Sequence, residues 1–344
     1  MGLGHDGKTM VRGSTTTMNW SRRGLLGAAL AASTVPARAA APVRVGVLRF
    51  GTVSWEVDVI RSHGLDTAQD ITVVSSDLAA PQAAQVSLQA GAVDLIVVDW
   101  LWVARQRASG ADWSFVPFSN SVGALIVPEG SGIRSVADLP GRRLGIAGSP
   151  LDKSWIILRA YASDRFGIDL DAQTTKTFGP PPLLNEQMKA GRLDALLTYW
   201  NFAAKAEAAG ARRVLSVEDA VSALGIGAGV PYIGYTFAQH WAEQNRPALD
   251  GFLAASRAAR GILASSDTEW DRIRPLTGAA NDAELERLRD WYRRGIPRQW
   301  EASEREAATQ LFGLLAKIGG PDLVGPLTTP PPGTFWPVSW HAGA

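Results

Sequence analysis

QAGAVDLIVVDW, residues 89–100, decides the fold. Its run VDLIVV (93–98) is almost continuously apolar, as in a strand covered on both faces, and such strands belong to mostly parallel sheets. Amphipathic stretches flank it, reading as helices over 81–89 and 101–108. Strands are expected upstream at 43–50 and 71–75, around a helix at 54–62 closed by Gly64, and downstream at 113–118. The same grammar restarts after Asn120, with strands at 124–127, 143–147 and 193–199. Between them lie a short helix signal at 135–139, a helix at 154–166, a proline break at 180–182 and a helix at 183–190. A glycine-rich segment with Pro231 inside it, 225–234, precedes a mainly helical region running to about residue 318. The tail, 328–344, is rich in proline and reads as irregular.

Strands alternating with helices make this an α/β chain. Two repeats of one pattern, joined near 119–123 and 229–234, predict two lobes that the chain crosses twice and that can close by hinge motion.

The chain has 344 residues, 46% hydrophobic and 19% charged, with no cysteine. No disulfide framework, zinc–thiolate site or cysteine nucleophile is available. From Met18 the sequence MNWSRRGLLGAALAASTVPARAA (18–40) has a charged region, an apolar stretch and Ala37-Arg38-Ala39 as a small-residue cleavage site, the order of a signal peptide. Ser21-Arg22-Arg23-Gly24-Leu25-Leu26 resembles the twin-arginine type. Residues 1–17 read as an over-extended start. Without residues 1–39, which carry Lys8, Arg12, Arg22, Arg23 and Arg38 against Asp6, the formal charge falls from +1 to −3. That balance argues against a nucleic-acid surface.

Three stretches carry a family resemblance. Gln89-Ala90-Gly91-Ala92-Val93-Asp94 and Lys189-Ala190-Gly191-Arg192-Leu193-Asp194-Ala195 each place a glycine two residues before an aliphatic–aspartate pair, and residues 132–146, GIRSVADLPGRRLGI, lie between them. Together they resemble periplasmic substrate-binding proteins of the nitrate, sulfonate and taurine class of ABC importers. The resemblance implies a two-lobed periplasmic-binding-protein fold of the type II kind, each lobe a mostly parallel sheet flanked by helices. Lobe 1 would comprise residues 40–122 and a return over 233–327, lobe 2 residues 123–232, with 1–39 as leader and 328–344 as tail. It also implies a periplasmic monomer with a small-molecule ligand and the transmembrane subunits of a permease as partners, to which the Arg22-Arg23 motif adds the twin-arginine export machinery.

In such sheets ligands sit beyond the carboxyl ends of the strands, which turns attention to VLRFGTVSWE (47–56). Thr52 and Ser54 can donate to a ligand at a helix start, or simply cap that helix. Arg49 reads as part of the strand. Trp100 and Trp200 each follow a strand; they suit a small-molecule pocket, or belong to the core, since the chain has 13 tryptophans. If both face the cleft, they approach one ligand from opposite sides. Ser149 lies in GSPLDK (148–153), where backbone amides can cradle an anion, although Asp152 would oppose one. Trp55, Asn120, Asn201 and Tyr232 complete the expected lining. Glu56, Asp58, Asp99 and Asp152 favour an amine or metal ion, and helix N-termini with Arg49 favour an anion; the residues leave both open.

Catalysis has little support. The four histidines lack metal-ligand spacing and no GxSxG elbow occurs. An enzyme of related fold that makes the thiamine pyrimidine depends on a cysteine-rich motif, and this chain has no cysteine. No cofactor or metal is expected. Two alternatives to transport stand beside it: an accessory or sensor protein of the same fold, and a secreted enzyme.

Overall fold

The structure is a computed structural model and describes residues 40–49, 51–227 and 229–341. The expected leader and its twin-arginine motif lie outside them. Ten strands build two five-stranded sheets. The first contains β1 (Ala41–Leu48), β2 (Ile71–Leu78), β3 (Leu95–Asp99), β4 (Trp113–Ser119) and β10 (Ile233–Ala238), in the order β2-β1-β3-β10-β4. The second contains β5 (Gly123–Val127), β6 (Arg143–Ala147), β7 (Thr175–Gly179), β8 (Ala195–Tyr199) and β9 (Arg212–Ser216), in the order β7-β6-β8-β5-β9.

Each sheet has one reversed strand. β1 runs parallel to β2 and β3, whereas β10 is antiparallel to both its neighbours, and β5 is antiparallel to β8 and β9. The reversed strands are those by which the chain enters one sheet from the other. All remaining strands point one way, so the mostly parallel character read from VDLIVV is found.

Helices α1 (Val53–Ser62), α2 (Pro81–Gln89) and α3 (Trp100–Ala108) follow β1, β2 and β3. α4 (Lys153–Phe166), α5 (Leu170–Gln173), α6 (Pro181–Lys189), α7 (Trp200–Ala208) and α8 (Val217–Ala223) serve the second sheet. After β10 come α9 (Gln239–Gln244), α10 (Arg246–Ser265), α11 (Asp267–Thr277), α12 (Asp282–Gly295) and α13 (Ala302–Val324). Among the described residues no helix is long and apolar enough to cross a membrane.

The two sheets repeat one local construction. Pro81 and Pro181 start α2 and α6 at a position where a missing amide costs nothing. Gly91 and Gly191 end the same turns at φ 67° and 69°, a conformation that favours glycine. Asp94 then accepts from the Arg44 amide at 2.8 Å and from its guanidinium at 2.5 Å; Asp194 does the same for Arg143 at 2.8 and 2.6 Å. The two glycine–aspartate segments therefore pin the start of a strand to its parallel neighbour. Their aspartates serve the architecture.

The first crossing, from β4 to β5, is held on α12: the Asn120 amide donates to the Gly295 carbonyl at 2.8 Å, and Ser121 Oγ to that of Trp291 at 3.3 Å. The second crossing lies against the first, with the Tyr232 amide donating to Ser119. The tail is anchored to its own chain. Phe115 and Trp336 exchange backbone bonds with Thr334 and Phe115, extending the edge at β4, and β12 (Trp340–His341) pairs with β11 (Gln299–Trp300). Phe335 packs edge-on against Trp100, Phe115 and Trp300.

Candidate functional site

The parallel strands direct their carboxyl ends to β1–α1, β3–α3, β6–α4 and β8–α7. At β3 the last residue is Asp99, whose Oδ1 accepts from the Trp102 amide at 2.9 Å and so caps α3. At β6 the turn Gly148–Asp152 ends in a second cap, Asp152 Oδ1 accepting from Ser154 at 2.8 Å. At β8 the corresponding residue is Tyr199, which makes no side-chain cap. Gly148, at φ 100°, lies between these groups: a Cβ there would sit 3.0 Å from Asp152 Oδ2 and 3.2 Å from Tyr199 Oη.

Asp99, from the other sheet, is near enough to act on both. Burial raises the Asp152 carboxyl above its ordinary range; Lys153 and the Ser154 amide counter this, and the like charge of Asp99 adds to it. Burial, then the charges of Asp152 and Asp99, push the Tyr199 phenol far up, so it is a donor at every physiological pH. Asp152 and Tyr199 thus meet over Gly148, within reach of the charge of Asp99 from the other sheet. Chemically this can bind a cation or a cluster of hydrogen-bond donors, and it repels an anion.

The expected lining residues fall into separate places. Trp55 and Trp200 come together, edge to face at 5.9 Å, within a cluster that also holds Trp270 and Tyr292; Trp55 Nε1 donates to the Leu276 carbonyl. Trp100 is elsewhere. It is 1% exposed, donates Nε1 to the Pro231 carbonyl at 2.8 Å, and packs on Phe312 and Phe335. The facing pair Trp100–Trp200 is therefore corrected: the two begin equivalent helices, α3 and α7, whose first residues turn inward to different apolar clusters.

Thr52 is buried at the start of α1 without capping it, and Ser54 Oγ turns back to the Gly51 carbonyl. Ser149 is exposed and its Oγ accepts from the Leu151 amide, beside Asp152. Asn201 is partly buried next to Trp200. Asn120 and the buried Tyr232 lie on the crossings, and Asn120 Oδ1 is buried without a partner. Arg49 is an exposed turn residue, since β1 stops at Leu48. Asp58 pairs with Arg272 at 2.6 Å and Glu56 is wholly buried, so neither acid joins Asp99 and Asp152. Tyr199 was not anticipated, and Asp99 only as a charge. Their signal was positional: each is the last strand residue before the tryptophan that opens a helix.

Solved structures share the fold at low identity. The alkanesulfonate-binding protein SsuA from Xanthomonas axonopodis pv. citri, bound to MOPS, is 18% identical over 86% of this chain and 98% of that one, with a TM-score of 0.67. The periplasmic aliphatic sulphonate-binding protein SsuA from Escherichia coli gives 19%, 86%, 92% and 0.68. A zinc-bound ligand-binding component of an ABC-type import system from Staphylococcus aureus gives 9%, 86%, 96% and 0.63. No curated protein sequence matches the chain. The two-sheet α/β architecture is thus that of periplasmic binding proteins. The model of the NMT1/THI5-like family matches residues 59–266, more than half of the sequence, and the chain belongs to that family.

Proposed function

We propose that the chain is an exported, periplasmic solute-binding protein. Its lobes, residues 40–122 with 233–327 and residues 123–232, close on a small molecule and present it to the transmembrane subunits of an ABC permease. The observation that carries this reading is the meeting of Asp99, Asp152 and Tyr199 at strand ends of two different sheets. Family membership and the shared fold support it. Thr52 and Ser149, in the loops after β1 and β6, and Asn201, in the first turn of α7, complete the proposed contact set.

The ligand class follows from charge. The Xanthomonas and Escherichia proteins are named for sulfonates, whereas two carboxylates suit a solute that presents a protonated nitrogen. Among the described residues no group of three histidine, aspartate or glutamate side chains is placed to hold a metal ion. Binding needs no bond to be made or broken.

Native mass spectrometry of the protein isolated from its periplasm is expected to show one bound molecule, released chemically unchanged and cationic at neutral pH. Asp99→Asn with Asp152→Asn should weaken its rebinding by about 10- to 10,000-fold, the loss of one or two charge-assisted hydrogen bonds at roughly 1.5–3 kcal/mol each. Recovery of a sulfonate, or conversion of the bound molecule on incubation, would overturn the reading.

Export is part of the proposal. Arg22→Lys with Arg23→Lys should leave the precursor in the cytoplasm, because the twin-arginine route reads guanidinium groups and not positive charge alone. N-terminal sequencing of the exported wild type should begin near Ala40. Normal export of the double lysine variant would exclude the route.

A further inference from the structure

One carboxylate holds the first crossing, and its charge reaches the end of the second. Glu218, in the first turn of α8, accepts from the Val122 amide at 2.8 Å through Oε1. Val122 ends the first crossing, and its own carbonyl accepts from the Trp200 amide at 3.0 Å. Tyr232, which ends the second crossing, lies near enough that the Glu218 charge opposes ionisation of its phenol. Val122 leads directly into β5 of the second sheet, and Tyr232 into β10 of the first. Glu218 therefore lies beside the segments about which one sheet would rotate against the other.

Glu218 is partly buried, and the charges acting most on it include no cation. The cations of neighbouring elements are engaged elsewhere. Arg165 of α4 donates to the Ala223 carbonyl at the opposite end of α8, Arg212 of β9 to those of Ser131 and Ile133, and Arg213 pairs with Glu207. Lys153 of α4 acts on Asp152, and Arg159 on the same helix is not among the largest influences on Glu218. Asp219 adds a like charge, while Val122 and Ser216 supply hydrogen bonds.

We propose that Glu218 is a proton-operated latch on the two crossings: protonated, it favours the juxtaposition of sheets seen here, and ionised, it favours a rotated arrangement in which water reaches it. The physical cause is desolvation, which raises the carboxyl from 4.5 to about 7. Linkage fixes the sign. A group whose pKa is higher in one arrangement stabilises that arrangement below the ordinary pKa and loses the effect as pH rises through the raised one. The present arrangement should therefore weaken as pH climbs through about 7.

The absence of cysteine allows two unique spin labels. Ser76→Cys on β2 and Thr175→Cys on β7 are exposed and lie on the strands farthest from the crossings in each sheet. In double electron–electron resonance on the ligand-free protein, the ratio of long to short separations should rise about tenfold from pH 6 to pH 8. Glu218→Gln should hold it at the low-pH value. A pH-independent distribution, or a response that survives Glu218→Gln, would overturn the latch. Carbon-13 titration of the wild-type carboxyl is a second test that needs no variant: a midpoint near 7 supports the proposal and one in the ordinary range refutes it. The latch goes beyond solute binding, which the recovered ligand tests separately.

Discussion

Trp200→Ala and Trp100→Ala are each expected to lower folding stability by about 3–5 kcal/mol, the range for truncating a large aromatic in a closed core. Both indoles are nearly inaccessible, at 6% and 1% exposure. The variants should differ in kind. Trp200 contacts Trp55 at 5.9 Å and Tyr292 at 6.4 Å, so its loss removes an aromatic join between α7 of the second sheet and the helices over the first. Trp100 also holds the Pro231 carbonyl within the second crossing. Trp100→Phe therefore keeps much of the packing and drops that bond, at a cost of about 1–3 kcal/mol for a buried acceptor left without its donor. Denaturant melts on the three variants decide the matter. Wild-type stability with lost ligand affinity would place the tryptophans in the cleft instead.

Those residues show where sequence reading succeeds and where it stops. VDLIVV reported a strand buried on both faces because continuous apolarity is a direct consequence of two covered faces, and β3 is flanked by helices as that pattern requires. Gly91 and Gly191 were legible only as parts of a repeated motif, and the structure supplies the reason, a turn that needs positive φ. Strand-end tryptophans were ambiguous, since the first residue of a helix can face the core or the cleft and composition does not record the rotation. Trp100 and Trp200 both took the inward solution. Asp99 and Asp152 were read as strand-end acids, but Tyr199 and the grouping of the three were not, because residues 99, 152 and 199 have no spacing that announces it. Glu56 shows the converse error. It was grouped with the cleft acids by position along the chain, whereas its place on α1 faces inward, where hydroxyl groups from three distant elements meet it.

That buried carboxyl yields the second large effect. Glu56 Oε1 accepts from Tyr235 Oη and Ser256 Oγ, both at 2.5 Å, and Oε2 from Tyr292 Oη at 3.4 Å, while Arg260 Nε lies 3.8 Å away. Burial pushes the carboxyl up; Arg260 and the hydroxyls pull it back. Arg260 is itself 6% exposed and its Nη1 donates to the Phe118 carbonyl. Glu56→Ala leaves that guanidinium without its counter-charge, together with the three hydroxyl donors, and should cost about 3–5 kcal/mol. Arg260→Ala should cost a similar amount by stranding the carboxylate. Glu56→Leu with Arg260→Met removes both charges at near-constant volume, so it should cost less than the sum of Glu56→Leu and Arg260→Met made singly, by about 1–3 kcal/mol. Additive costs in the denaturant-melt cycle would mean that the pair acts as two independent packing residues. Tyr292 belongs both to this network and to the Trp55–Trp200–Trp270 cluster. Stranding Arg260 should therefore also loosen the seat of α12 on α7, and Trp200→Ala should add to Glu56→Ala with a coupling that the distant Trp100→Ala lacks.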